Sequence, residues 1–165
     1  MSPILAEHDL EILSRGAAQT RRVGVRLGEM LSSGDLVCLN GDLGSGKTTL
    51  VQGIVAGWGS LDPVTSPTYV LVNEYRHPEG GLLFHLDAYR LESPARALDL
   101  DLEDLLAAGP LVVEWADRIR TALPEEGFQA NLRWVDEDRR QIHFAASGER
   151  YQTFLDQFRR RLFAG

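Results

Sequence analysis

Lysine is almost missing from this chain: of its 17 basic side chains, all but Lys47 are arginine. Cysteine is equally scarce. Cys38 stands alone in an apolar run, which rules out an internal disulfide and reads as a small buried hydrophobe. Positive charge is short as well, the formal net charge being -7. That excludes a general nucleic-acid binder, for DNA as for RNA, because neutralising phosphates needs a basic field. The longest basic run, Arg159-Arg160-Arg161, falls at the end of an expected helix, where cations complement the helix dipole. Hydrophobic runs are no longer than a strand, and no charged start precedes an apolar stretch. Neither a membrane span nor a signal peptide is therefore expected, and the chain is assigned to the cytoplasm. His8, His77 and His143 are isolated, without the spacing of a metal site. Repeats and long linkers are absent too, and 165 residues that are 44% hydrophobic suit a single domain spanning residues 1–165.

What is present is a phosphate cradle. Gly41-Asp42-Leu43-Gly44-Ser45-Gly46-Lys47-Thr48 fits G-x-x-x-x-G-K-[ST]. The apolar run 35–40 before it reads as a buried strand, and Thr48 to Ala56 after it has helical spacing. Strand, glycine loop and helix are the context that the motif requires. Gly41, Gly44 and Gly46 let backbone N–H groups converge on an anion, the following helix adds the positive end of its dipole, and Thr48 offers a hydroxyl to Mg²⁺. The one lysine has a reason to sit here: a compact ammonium on a thin stem reaches between phosphate oxygens where a planar guanidinium would not fit. The loop therefore predicts binding of a nucleoside triphosphate with magnesium.

Periodicity along the chain predicts an α/β fold, a P-loop NTPase-like domain with a mixed central sheet flanked by helices. Leu10 to Leu13 reads as a first strand, and Thr20 to Leu31 as a helix. "SPTYVLVNEY" and "LLFHLDAYRL", joined by "RHPEGG", read as an antiparallel hairpin. Ala95 to Ala107 reads as one helical segment, "LVVEW" as a buried strand, and Asn131 to Val135 with Gln141 to Ala145 as a second hairpin. Arg150 to Phe163 closes as an amphipathic helix. Tyr69 and Tyr75 are expected to pack on strand faces, and Trp58 and Trp134 in the core. Asp87 and Glu114 each end an apolar strand, where desolvation needs compensation by a cation or hydrogen bonds. A magnesium site is a natural reason for one of them, and the residues alone do not rank the two. His85, beside Asp87, reads as a structural hydrogen-bond donor or as support behind a site.

In order and spacing, "GDLGSGKTTL", "SPTYVLVNEY", "HLDAYRL" and "LVVEW" resemble the TsaE family, the small bacterial ATPases of the threonylcarbamoyladenosine tRNA-modification pathway. The resemblance runs from about Thr20 to Trp115. It implies that Gly41 to Thr49 hold ATP, with Lys47 on the phosphates and Thr48 and Glu114 as Mg²⁺ ligands. Ser66, Pro67 and Thr68 would form a switch that senses the γ-phosphate, and Asp87 would orient the attacking water or the Mg²⁺ shell. His85, Tyr89 and Arg90 complete the matching block, and Trp115 is the aromatic after the last core strand. Thr20 corresponds to a position near the nucleotide, and Arg139 or Arg140 would flank the adenine. No arginine finger is evident; Arg90 in cis, or a partner, would supply one. The resemblance further implies a slow enzyme working with the TsaD and TsaB proteins, reaching tRNA only through that complex and not transferring the threonylcarbamoyl group itself. The chain departs from the family at Asp101, where a glycine is usual, which leaves the local turn or a partner contact open.

Other readings are a small-molecule or nucleoside kinase, for which no lid insertion is evident between Glu92 and Pro110, and a nucleotide-dependent binding module. A GTPase would need [NT]-K-x-D, which a chain whose only lysine is Lys47 does not contain.

Overall fold

The run Leu36–Asn40 before the phosphate loop, LVCLN, is apolar on both of its faces because both are covered. In the computed structural model, which describes residues 9–64, 72–91 and 93–164, this run is the central strand of a seven-stranded sheet. The strands are β1 (Asp9–Ser14), β2 (Leu36–Asn40), β3 (Val72–Arg76), β4 (Leu82–Asp87), β5 (Leu111–Glu114), β6 (Gly127–Trp134) and β7 (Arg140–Ser147). The helices are α1 (Ala17–Gly28), α2 (Lys47–Trp58), α3 (Pro94–Leu98), α4 (Leu102–Ala108) and α5 (Glu149–Phe163), with 3₁₀ turns at Ala88–Arg90 and Ala116–Ala122. Across the sheet the order is β1-β7-β6-β2-β5-β4-β3. Strands β6, β2, β5 and β4 run parallel, and β3, β7 and β1 pair antiparallel at the two sides. The fold is α/β with a mixed sheet, and both hairpins expected from the sequence form over their described residues.

Alternation along the strands separates two cores. Val37 and Leu39 of β2 face α1, α2 and α5, joined there by Phe128, Phe144, Phe154 and Phe158. Phe128 lies 5.7 Å from Phe144 and 4.9 Å from Phe154 by ring centroid, a packed aromatic cluster. Leu36 and Cys38 face the other way, toward Leu86, Val113, Ala97, Leu102 and Ile119. Burial pushes the Cys38 thiol up to about 12, so it stays a neutral, inert filler. Behind the antiparallel side, Asn131 and Arg133 are exposed and Gln141 and His143 half-buried, as expected where such a sheet turns one face to water.

Helices α1 and α2 touch backbone to backbone. Each carries two glycines four residues apart, Gly24 and Gly28 on one, Gly53 and Gly57 on the other. A Cβ added to any of these would collide with main-chain oxygen of the facing helix: Leu50 and Ile54 for the first pair, Arg21 and Val25 for the second. Spacing of four puts each pair on one face, and only glycine permits this approach.

Two expectations need correction. The segment Ala95 to Ala107 is not one helix, because Asp101 sits in the left-handed region at φ 52° and ψ 59°, separating α3 from α4. This conformation favours glycine, and aspartate is one of the few side chains that tolerate it. Trp134 is not in the core but 52% exposed. It shares the inward parity of Phe128, Ala130 and Leu132, but β6 outruns the helices that cover those residues. In addition α1 ends at Gly28, short of Leu31, in a tighter turn in which Met30 N–H donates to the Leu27 carbonyl.

Two stability predictions follow from these backbones. Gly28→Ala or Gly53→Ala should cost about 3 kcal/mol and lower the melting midpoint by about 6–12 °C, because main chain cannot yield as a side chain can. Gly16→Ala, with no atom near its added carbon, is the control and should stay within about 2 °C of wild type. Asp101→Gly should melt at or above the wild-type temperature, whereas Asp101→Val, β-branched in the left-handed region, should lose about 1 kcal/mol, or about 2–4 °C.

Candidate functional site

The carboxyl ends of three adjacent parallel strands meet beside the loop. Register pairs Leu39 of β2 with Glu114 of β5, and Glu114 with Asp87 of β4. Both acids therefore stand at the strand ends from which the chain turns into the phosphate loop, the usual ligand crevice of such sheets. The loop bends through glycines at φ 153° (Gly41) and 103° (Gly46), and Gly46 opens α2. At Gly41 an added Cβ would lie 2.6 Å from both the Leu132 carbonyl and Ser45 Oγ, so only glycine fits. Together these parts enclose a cleft of about 490 Å³, within the range of small-ligand sites. Its lining is Leu43, Gly44, Ser45, Gly46, Lys47, Thr48, Thr49, Asp87, Tyr89, Glu114, Trp115 and Arg140.

Lys47 is 94% buried in this lining, with 6% of its surface exposed. Its Nζ donates to the Gly41 carbonyl and, at 3.0 Å, to that of Asp42, and it lies 4.2 Å from the centre of the Trp115 ring. Burial holds its pKa below the ordinary lysine value, against the opposing pull of Glu114, Asp42 and Asp87. Trp115 itself is left-handed, at φ 57° and ψ 40°. For a bulky residue that is strain, and the strain turns the indole across the cleft wall. Tyr89 packs on it at 5.1 Å, and Arg118 covers Tyr89 at 5.2 Å while donating to the Tyr89 carbonyl at 3.2 Å.

Glu114 is buried, and its Oε2 lies 2.6 Å from His85 Nε2. His85 Nδ1 lies 3.3 Å from Tyr75 Oη, which accepts from Asn73 Nδ2 at 3.4 Å. His85 thus stands behind an acid that lines the cleft. Asp87 accepts from the Tyr89 N–H at 3.0 Å, capping the turn that follows β4.

Other candidates lie behind the loop or beyond it. Thr20 is buried and does not line the cleft; its hydroxyl is 2.6 Å from Ser14 Oγ, which donates to the Gly16 carbonyl at 2.9 Å. Thr20 must therefore donate to Ser14, and its methyl lies 4.0 Å from where a Cβ on Gly46 would stand. Gly41 and Asp42 contribute the carbonyls that hold Lys47. Arg139 turns away from the cleft, its Nη2 2.6 Å from Asp136 Oδ2. The neighbour that reaches the loop is Arg140, whose Nε donates to the Gly44 carbonyl at 3.0 Å. Arg139 precedes β7, and the turn carboxylate of Asp136 captures it there. Thr68, with Ser66 and Pro67, lies outside the described residues, as does the side chain of Arg90.

The residues fit a triphosphate with magnesium on two observations. Ser45 Oγ is buried at the cleft wall without a hydrogen-bond partner among the described residues, an expensive state unless a ligand completes it. The donors gathered there, the Thr48 hydroxyl and the Glu114 and Asp87 carboxylates, are hard oxygens of the kind that Mg²⁺ prefers. Sequence reasoning missed Arg140's contact with the loop, Ser14, and the pair Tyr75 and Asn73. Hairpin register would have found the last, because Asn73 lies directly opposite His85.

Comparison with known proteins gives the family. Residues 14–142 match the family model described as threonylcarbamoyl adenosine biosynthesis protein TsaE. The TsaE protein of Bacillus subtilis is 36% identical over 143 residues, covering 86% of this chain and 89% of that protein. The TsaE protein of Nostoc is 42% identical over 128 residues, covering 74% of this chain and 76% of its own length. The crystal structure of Bacillus subtilis YdiB superposes with a TM-score of 0.76 at 30% identity, over 92% of this chain and 95% of the other. With a phosphate loop flanked by two strand-end carboxylates and a family match over most of its length, the chain belongs to the TsaE family of threonylcarbamoyladenosine biosynthesis proteins.

Proposed function

We propose that this protein is an ATPase that binds Mg-ATP in the cleft and hydrolyses it in support of threonylcarbamoyl modification of the adenosine next to the anticodon of ANN-decoding tRNAs. It would act with TsaD and TsaB proteins, which meet the tRNA, and would not transfer the threonylcarbamoyl group itself. The observation that carries the reading is the convergence of Lys47, Thr48, Asp87 and Glu114 on one cleft whose wall holds the Ser45 hydroxyl, unpartnered among the described residues. The pathway is supported by the names of the Bacillus subtilis and Nostoc relatives.

The chain's own residues do little covalent work. Amides of the loop and the start of α2 bind phosphate oxygens, and the buried Lys47 ammonium exchanges its two neutral carbonyls for an anion, a stronger, charge-assisted partner. Thr48 and Glu114 would hold Mg²⁺, which supplies charge neutralisation on the phosphates. Asp87 would orient the attacking water or the Mg²⁺ shell, and Tyr89 and Trp115 wall the cleft beside it. Preorganised charge of this kind accounts for most of the acceleration in such sites.

Three measurements test this. Lys47→Ala should lower phosphate release from ATP at least about 100-fold, and Asp87→Asn should lower kcat while leaving ADP affinity within about 3-fold. Phosphate found on a small acceptor instead of in solution would replace this reading with the kinase one. Ser45→Ala, which removes an unsatisfied buried hydroxyl, should leave the melting midpoint unchanged or raised yet weaken ATP binding about 5-fold or more. In cells depleted of the protein, tRNA threonylcarbamoyladenosine measured by nucleoside mass spectrometry should fall and be restored by wild type but not by Lys47→Ala; unchanged levels would remove the pathway assignment.

A further inference from the structure

Three neighbouring strands carry a buried polar chain from the sheet edge to the cleft. Asn73 and Tyr75 stand on β3, His85 on β4 and Glu114 on β5, and Tyr75 and His85 are 97% and 98% buried, with 3% and 2% of their surfaces exposed. The contacts run Asn73 Nδ2 to Tyr75 Oη at 3.4 Å, Tyr75 Oη to His85 Nδ1 at 3.3 Å, and His85 Nε2 to Glu114 Oε2 at 2.6 Å. Phenol and imidazole rings lie nearly parallel, 26° apart with centroids 6.1 Å apart.

Donors and acceptors along this chain can be assigned. A carboxylate oxygen only accepts, so the short contact to Glu114 needs the proton on His85 Nε2. A bare Nδ1 accepts from the Tyr75 hydroxyl, the group that faces it. Burial holds that phenol above the ordinary tyrosine value, so it keeps the proton it must give. Asn73 in turn donates to the phenolic oxygen. Every link has one donor and one acceptor, and the chain has one direction.

We infer that Tyr75 and His85 are positioning residues: Tyr75 fixes the tautomer of His85, and His85 locks one oxygen of Glu114 so that the carboxylate presents the other to a divalent cation in the cleft. This rests on the proposed Mg-ATP site, and adds to it a support that starts on the β3 edge. A histidine held by a second group and holding a ligating carboxylate is the arrangement by which outer partners fix ligand orientation, and removing such partners typically weakens metal binding about 10- to 100-fold.

The test has two arms. In the metal-free protein, two-bond ¹⁵N–¹H NMR correlations of the imidazole should show the neutral ring of His85 protonated at Nε2. A ring protonated at Nδ1, or at both nitrogens, would overturn the assignment. In the second arm Mn²⁺ is titrated in the presence of ADP and followed by electron paramagnetic resonance. His85→Leu should weaken Mn²⁺ binding about 10-fold or more, Tyr75→Phe about 3-fold, and His85→Gln, whose amide N–H can still donate to Glu114, should recover most of the loss. Thermal midpoints measured alongside separate a folding defect, which would lower stability in all three variants without this ranking. Equal Mn²⁺ affinity in folded His85→Leu and wild type would overturn the inference alone; failure of wild type to bind Mn²⁺ with ADP would overturn the site reading and this inference with it.

Discussion

Contact between the main chains of α1 and α2 is the constraint on which the site depends. The second of these helices begins inside the phosphate loop, so its position sets where the loop amides point. The first follows β1 through Ser14 and Gly16 and brings Thr20 against the back of the same loop. Facing glycines at 24, 28, 53 and 57 remove the side-chain layer that normally keeps helices 8–10 Å apart. Behind the loop the hold is packing, while the polar ties of Lys47 and Arg140 go to loop carbonyls. Arg140 adds a tie from the β6–β7 hairpin to the Gly44 carbonyl.

Charge in the cleft is arranged on the same principle of prior commitment. A buried carboxylate and a buried ammonium both lose hydration, and each is compensated by fixed partners: His85 for Glu114, two loop carbonyls and the Trp115 face for Lys47. The groups are held in place by these contacts at the cleft wall, where phosphate oxygens and a cation would meet them.

Legibility in the sequence followed the range of the interaction. The loop, its flanking strand and helix, and the two strand-end acids are set within a few consecutive residues, and pattern alone was enough to read them. That Asp87 and Glu114 stand side by side depends on a parallel register across strands separated by two helices, which no local pattern carries. Arg139 and Arg140 were indistinguishable until the turn carboxylate Asp136 claimed one of them. The facing glycines went unread because each pair, taken singly, looks like a weak helix. Asp101 looked like a departure, and only its dihedral angles show that aspartate occupies the conformation for which glycine is usual.

The burial of Lys47 has one more consequence. Every other basic side chain in the protein is a guanidinium, which stays protonated and does not react as an amine. Acylating agents and enzymes that mark proteins through lysine thus meet a surface without a side-chain amine. The single one present is behind the loop, under an indole and against two carbonyls, where its reactivity is governed by whatever lies in the cleft.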